Sequence, residues 1–207
     1  MATVRAAMAR NSRAEPVPVR FLPAELPAVP SGPARRSAAV LCGLFEEGDE
    51  AHIILTRRSS RMRSHTSEVS FPGGRLEEGE APVAAALREA SEEVGLNPGD
   101  VEIIGPLSPL ATFGGQVLIT PFLGLLPARP LLRPSPEEVE RAFDVSLAEL
   151  VSDDVYREEM WLVPGAGWRA INFFELIGDT VWGATARILR ELLELTICGR
   201  PAASSGQ

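Results

Sequence analysis

The chain has 207 residues, 45% of them hydrophobic, and a formal net charge of −8 at pH 7. The length suits a single domain with additions, and the apolar content suits a soluble protein with a real core. The acidic balance argues against general nucleic-acid binding, which needs a basic surface. No apolar run reaches the roughly eighteen residues needed to span a membrane.

All 20 basic residues of the chain are Arg. Because the overall charge is negative, a polyanionic ligand would have to be captured by local Arg side chains or by a metal ion. Cys42 and Cys198 are isolated in the sequence and indicate neither a disulfide framework nor a metal knuckle. We interpret them as two buried thiols of a protein in a reducing, cytoplasmic compartment.

The first 34 residues carry many Pro and Ala and few long apolar side chains. This composition predicts a poorly ordered arm. Its several Arg and few acids also leave an organelle transit peptide open, whereas the lack of a continuous apolar stretch disfavours a secretory signal. We expect one folded domain over residues 35–200 and a disordered tail over residues 201–207.

Two apolar segments, residues 37–45 and 51–57, flank a turn that contains Gly48 and Asp49. This pattern predicts a β-hairpin. A basic loop then leads to a Gly-rich turn at residues 71–74. The loop contains four groups that could bind phosphate, although a solvated loop explains them equally well: Arg58, Arg61, Arg63 and His65.

Strong helix formers dominate residues 80–94, and Pro82 falls in the first turn, where its missing N–H costs nothing. Gly95 is the residue expected just beyond a helix end. The sequence therefore predicts a helix over this range. Its predicted buried face consists of apolar residues at helical spacing, Val83, Leu87, Ala90 and Val94.

Three acids, Glu89, Glu92 and Glu93, stand at i, i+3 and i+4 on the other side of this helix. Carboxylates packed in this way repel one another, and a hard cation among them would remove the repulsion. Mg²⁺ and Mn²⁺ prefer such oxygen ligands. Taken alone, the pattern favours an ordinary acidic face in contact with water over a metal site.

Beyond the helix the sequence alternates short strands and turns. A short strand is expected at residues 101–105 and a strong strand at residues 117–126. Pro121 suggests that the second strand lies at a sheet edge or carries a bulge. A helix or turn is expected at residues 137–142. Its acids, Glu137, Glu138 and Glu140, are interpreted as ordinary surface acids.

The C-terminal part contains three further predicted elements. A helical turn is expected at residues 147–151, and a long strand or strand pair at residues 168–177. A last helix should open near Val181 and run to Cys198. Its sheet-facing residues are expected to be Trp182, Ala186, Leu189 and Leu193.

The spacing of the central motif is specific. Gly74 is followed by five residues and Glu80, and then by seven residues and the pair Arg88-Glu89. The remaining positions of the motif are also filled, by Ala90, Glu92, Glu93, Gly95 and Leu96. This pattern resembles the Nudix box with no position missing.

Resemblance to the Nudix hydrolases implies a fold, a reaction and roles for the box residues. The fold would be an α/β/α sandwich in which a mixed sheet has the box helix on one side and the C-terminal helix on the other. The reaction would be metal-dependent hydrolysis of a nucleoside diphosphate linked to another group. By the same resemblance Glu89, Glu92 and Glu93 hold Mg²⁺ or Mn²⁺, while Arg88 and Glu80 orient the loop and the helix through a salt bridge. Many members use a further Glu outside the box as base or metal ligand, and Glu138 is a candidate for it, although an ordinary surface acid is the favoured interpretation.

The segment upstream of the box resembles the additional motif of the coenzyme A diphosphatase branch. The matching positions are Leu55, Thr56, Arg58, Ser59, Arg63, Phe71, Pro72, Gly73 and Gly74. Ser67 and Glu68 depart from the motif, which has Gly and Gln there. The resemblance implies coenzyme A as substrate, cleaved to adenosine 3′,5′-bisphosphate and 4′-phosphopantetheine, with Arg58, Arg61, Arg63 and His65 near its phosphates.

Three alternatives remain open at this stage. The substrate could be another nucleotide derivative, such as ADP-ribose, NADH or a nucleoside triphosphate. The domain could bind a nucleotide without cutting it, although such domains typically lose box acids and this chain keeps them. The chain could also be an inactive relative whose coenzyme A site is spoiled by Ser67 and Glu68. Homodimer formation is likewise left open.

Overall fold

The computed structural model describes residues 36–60, 67–112, 117–163 and 167–197. Strand β1 (Arg36–Glu47) and strand β2 (Glu50–Arg58) form an antiparallel hairpin around Gly48 and Asp49, both of which have positive φ. The predicted hairpin is therefore confirmed. The predicted arm over residues 1–34, the tail over residues 201–207 and Cys198 lie outside the described residues.

Six further strands complete the central sheet. They are β3 (Val69–Ser70), β4 (Gly73–Arg75), β5 (Glu102–Pro106), β6 (Leu110–Ala111), β7 (Val117–Leu125) and β8 (Val139–Ser146). β1 lies at the centre, parallel to β7 and antiparallel to β2 and β4. β8 pairs with the outer side of the β1–β2 hairpin. The predicted mixed sheet is confirmed.

The structure describes three α-helices, α1 (Pro82–Val94), α2 (Leu147–Leu150) and α3 (Gly183–Ile197), and a 3₁₀ turn at Pro98–Asp100. Alternate residues of β1 face opposite sides of the sheet. Leu41 joins a core with residues of α1, whereas Leu44 joins a second core with residues of α3. The two helices therefore cover opposite faces of the sheet, as predicted.

A second, three-stranded antiparallel sheet precedes α3. It consists of β9 (Tyr156–Val163), β10 (Gly167–Leu176) and β11 (Asp179–Trp182). β10 matches the strand predicted at residues 168–177, whereas β9 has no counterpart among the predicted elements. The last helix begins later than predicted, because Val181 and Trp182 belong to β11. Ala186, Leu189 and Leu193 are fully buried as expected, whereas Trp182 is 41% exposed.

Pro121 does not mark a sheet edge, because β7 pairs with β1 on one side and with β5 and β6 on the other. The carbonyl of Pro121 accepts a hydrogen bond from the N–H of Leu107 at 2.9 Å. The N–H and C=O of a strand residue point to the same side. The missing N–H of Pro121 therefore faces the gap between β5 and β6, so the ladder to β1 is intact.

The prediction of a helix or turn at residues 137–142 is wrong for most of that range. A turn covers residues 136–138, and strand β8 then begins at Val139 and pairs with β2. Tertiary pairing overrides the helical propensity of the Glu-rich segment. The short helix α2, capped by the hydroxyl of Ser146, confirms the helical turn expected after it. Within the described residues, no helix is long and apolar enough to cross a membrane.

Candidate metal centre

Helix α1 is held against the sheet by small side chains. Ala85, Ala86, Ala90 and Val94 are buried, so the helix approaches β1 closely. This face differs from the predicted one, because Val83 and Leu87 are only half-buried. The helix begins at Pro82, two residues later than predicted, and ends at Val94, where Gly95 follows in the left-handed conformation as predicted.

Glu93 is the most unusual residue of the helix because its carboxylate is buried, with the residue only 3% exposed. The backbone N–H of Gly73 donates to its Oε2 at 3.0 Å, and Nη1 of Arg58 lies 3.8 Å from its Oε1. Burial raises the pKa of Glu93 to about 7, against the opposing effect of these two contacts. Neighbouring Glu89 and Glu138 raise the pKa further.

Two glycines allow strand β4 to pass between β1 and the carboxylates. A Cβ atom on Gly73, which has φ of +154°, would lie 2.4 Å from the backbone oxygen of Ala39. A Cβ atom on Gly74 would lie 2.4 Å from the carboxylate carbon of Glu89. Neither position can carry a side chain unless its neighbours move. The Gly-Gly pair of the motif therefore has a packing reason at this site.

Arg88 connects helix α1 to the segment that precedes it. Its Nε and Nη2 donate to the two carboxylate oxygens of Glu80 at 2.9 and 3.0 Å, a forked contact. Its Nη1 donates to Glu89 at 3.0 Å and to Glu92 at 3.1 Å. The hydrogen bond from Arg88 lowers the pKa of Glu80, and the same bond raises the pKa of Arg88. The salt bridge between Arg88 and Glu80 that the family resemblance implies is therefore present.

Glu138 reaches the same site from the start of β8. Backbone bonds hold its segment in place: the N–H of Ser135 donates to the carbonyl of Glu93, and the N–H of Ser59 donates to the carbonyl of Glu138, both at 2.8 Å. One carboxylate oxygen from each of Glu89, Glu93 and Glu138 lies within 4.8 Å of the others. We call these three residues the acidic cluster.

The acidic cluster fits a hard divalent cation. Its donors are all carboxylate oxygens, the ligand type that Mg²⁺ and Mn²⁺ prefer. Without a cation the carboxylates repel one another. Burial raises the pKa of Glu89 as well, and the negative charges of Glu92 and Glu138 raise it further. Arg88 and Arg58 provide only partial neutralisation.

The structure brings some predicted residues together and leaves others apart. Glu89 and Glu93 lie in the cluster, and Arg58, Gly73 and Gly74 lie beside it. Glu92 is not one of the three clustered residues: its side chain is 59% exposed, and its carboxylate shares Nη1 of Arg88 with Glu89, so its role as a metal ligand stays a prediction. The predicted phosphate-binding residues Arg61, Arg63 and His65 lie outside the described residues.

The favoured interpretation of Glu138 from the sequence is an ordinary surface acid. Glu138 is indeed exposed, yet it belongs to the acidic cluster. The signal that identifies it is long-range, because β8 must first pair with β2 next to Arg58. No local pattern around Glu138 contains this information.

Comparison with known proteins identifies the family. The NUDIX domain model matches residues 34–165. A protein of Photorhabdus laumondii, described as an uncharacterized Nudix hydrolase NudL, is 38% identical over 160 residues, which are 77% of this chain and 84% of the relative. A protein of the same description from Citrobacter koseri is 37% identical over 169 residues, with coverage of 76% and 81%.

The fold has a solved counterpart in the crystal structure of a MutT/nudix family protein from Enterococcus faecalis. It superposes with a TM-score of 0.56 at 16% identity, over 82% of this chain and 64% of that protein. The chain belongs to the Nudix family and has its α/β/α fold. It is therefore a hydrolase of phosphoanhydride bonds in nucleoside diphosphate derivatives. The Nudix hydrolases generally use divalent metal ions.

Proposed function

We propose that this enzyme hydrolyses the diphosphate of coenzyme A or its derivatives, with Mg²⁺ or Mn²⁺ held by the acidic cluster. The observation that carries the proposal is the convergence of Glu89, Glu93 and Glu138 beside Arg58, which belongs to the coenzyme A-type motif upstream of the box. The NudL relatives support the hydrolase class and leave the substrate open.

In this proposal each side chain has a defined task. A bound divalent ion would screen the phosphate charges and lower the pKa of a water molecule. Arg88 keeps Glu89 in place through its bond at 3.0 Å, and the N–H of Gly73 keeps Glu93 in place. Glu92, whose carboxylate shares Nη1 of Arg88 with the cluster member Glu89, is the proposed acceptor of the water proton.

The bond changes are those of a simple hydrolysis. The water oxygen forms a bond to one phosphorus, and the bond from that phosphorus to the bridging oxygen breaks. The bridging oxygen leaves with the second phosphate. From coenzyme A the products would be adenosine 3′,5′-bisphosphate and 4′-phosphopantetheine.

The basic loop accounts for the proposed preference for coenzyme A. This substrate carries a 3′-phosphate in addition to its diphosphate, and forked guanidinium contacts suit phosphate oxygens. Arg58 lies beside the cluster, so it is the described member of the group placed to contact the diphosphate. Arg61, Arg63 and His65 are proposed to bind the phosphate that the metal does not cover.

Product release from a substrate panel tests the proposal. The panel comprises coenzyme A, dephospho-coenzyme A, ADP-ribose, NADH and ATP, each with Mg²⁺ and with Mn²⁺. We expect coenzyme A to give the highest kcat/KM and dephospho-coenzyme A a lower one. Cleavage of ADP-ribose with coenzyme A untouched would show that the substrate assignment is wrong, while leaving the reaction class intact.

A substitution at Glu93 tests the site separately from the substrate. Glu93→Gln keeps the shape of a buried side chain that accepts from Gly73, but it removes a metal-binding charge. We expect turnover of the best substrate to be abolished. Glu78→Gln, at an exposed acid in the turn before α1, is the matched control and should retain full activity. Unchanged turnover in Glu93→Gln would contradict the assignment of the site.

A further inference from the structure

Asp179, at the start of β11, is a buried carboxylate between two arginines. Its side chain is only 2% exposed. Nη1 of Arg57 donates to its Oδ1 at 3.1 Å, and Nη2 of Arg141 donates to its Oδ2. Because a buried charge is costly unless it is paired and hydrogen-bonded, this arrangement is an energetically coupled unit.

The two arginines are direct cross-strand neighbours. Arg57 on β2 stands opposite Arg141 on β8. Like charges directly opposite each other in antiparallel strands are destabilising. Asp179 neutralises this repulsion from the second sheet, and Glu140 adds a longer contact of 3.6 Å to Nε of Arg57. Loss of Asp179 would leave the charges of Arg57 and Arg141 facing each other across the strand pair without this neutralising carboxylate.

The strand pairing becomes irregular immediately beyond these arginines. Arg58 is paired with Val139, so Glu140 is an extra residue on β8, which is a β-bulge. Bulges change the direction of neighbouring side chains and are frequent next to active sites. Glu138 directly precedes the bulged segment, and its carbonyl accepts from the N–H of Ser59.

We propose that Asp179 is a positioning residue that sets the place of Glu138 in the acidic cluster through Arg57 and Arg141. The inference rests on the proposed metal binding by that cluster. Asp179 contacts neither cluster carboxylates nor, in this proposal, substrate. It fixes the register between the end of β2, which carries Arg58, and the start of β8, which Glu138 directly precedes. Its loss should therefore loosen the third carboxylate of the site.

A merely structural role must be distinguished from this positioning role. Asp179 also links the second sheet to the central one, so its substitution could lower stability with no specific effect on the site. A double-mutant cycle separates the two roles, because only residues that act through one another show non-additive effects. The partner in the cycle is Glu138→Gln, and the readout is affinity for Mn²⁺ at constant pH.

The experiment uses the full chain and measures Mn²⁺ binding by electron paramagnetic resonance of the free ion. We expect Asp179→Asn to weaken Mn²⁺ binding about 10-fold, as is typical for residues that orient metal ligands. In the Glu138→Gln background the same substitution should cost about 2-fold or less, because the carboxylate that it positions is gone. The kcat of the best substrate should fall with the same non-additivity.

Asp144→Asn is the matched control. Asp144 is a largely buried carboxylate on β8, the strand that also carries Arg141, and it pairs with Arg129 and His52. It lies six residues from Glu138, about 20 Å along the strand. We expect its substitution to lower thermal stability without a change in Mn²⁺ affinity. Should Asp179→Asn fail to fold by circular dichroism, Arg141→Gln, at a half-exposed partner, takes its place in the same cycle.

The outcomes separate the inference from the proposed function. Equal losses of affinity in both backgrounds, or an effect of Asp179→Asn no larger than that of Asp144→Asn, would overturn the positioning role while the metal site stands. If Glu138→Gln leaves Mn²⁺ affinity unchanged, the assignment of the acidic cluster is wrong and the positioning role falls with it.

Discussion

Glu93→Gln should stabilise the metal-free protein at neutral and alkaline pH. Glu93 is almost fully buried, and burial is the main reason that its pKa rises from an ordinary 4.5 to about 7. Its ionised form therefore opposes folding until a cation is bound. Replacement by the neutral isostere removes this opposition and keeps an oxygen that accepts the N–H of Gly73.

The magnitude and its pH dependence follow from linkage. A carboxyl whose pKa is raised in the folded state contributes most to stability when it is protonated, and that contribution is lost as the pH rises through 4.5 to about 7. Because a tenfold change in the ionisation constant is worth about 1.4 kcal/mol, the rise costs the metal-free fold about 3 kcal/mol above pH 7. Below pH 4.5 the two proteins should differ little.

Urea unfolding of the parent and of Glu93→Gln, in the presence of a chelator, measures this effect from pH 4 to pH 8. We expect the variant to gain up to about 3 kcal/mol in free energy of unfolding at pH 8, and Glu78→Gln to show no such gain. Addition of Mn²⁺ should then stabilise the parent but not Glu93→Gln. A difference between parent and variant that is independent of pH would refute the reasoning.

Two further substitutions test the neighbourhood of the cluster. Gly74→Ala places a Cβ 2.4 Å from the carboxylate carbon of Glu89. Titration with Mn²⁺ should therefore show that the affinity falls about 10-fold or more. Unchanged affinity would mean that the carboxylate of Glu89 moves aside freely. Ser67 adopts a left-handed φ of +60° where the related motif has Gly. Ser67→Gly should therefore raise the free energy of unfolding, measured in urea, by about 1 kcal/mol. An equal rise in Ser67→Ala would contradict this explanation, because Ala gains nothing from a left-handed conformation.

Much of the fold follows from local sequence signals. Pro82 and Gly95 define the ends of α1, and the turn at Gly48 and Asp49 defines the first hairpin. These signals act through the backbone conformations of single residues, so they survive without knowledge of the tertiary fold. The opposite placement of α1 and α3 followed from the family resemblance.

The missed features depend on pairing between distant segments. Strand β9 carries several charged residues and is identified only by its partner β10. Glu138 joins the cluster because β8 pairs with β2, and a Glu-rich segment alone resembles an exposed helix. The burial of Glu93 likewise depends on the approach of Gly73 at the start of β4. The helical spacing of the acids does not encode this approach.

One titration tests most directly the claim that the acidic cluster binds a divalent ion that the reaction requires. The rate of diphosphate hydrolysis is measured against Mn²⁺ concentration for the parent, Glu138→Gln and Glu137→Gln, an adjacent exposed acid that serves as control. We predict no turnover without metal, a parent-like curve for Glu137→Gln, and a curve for Glu138→Gln displaced about 10-fold or more to higher Mn²⁺. Metal-independent hydrolysis, or coincident curves for all three proteins, would contradict the account.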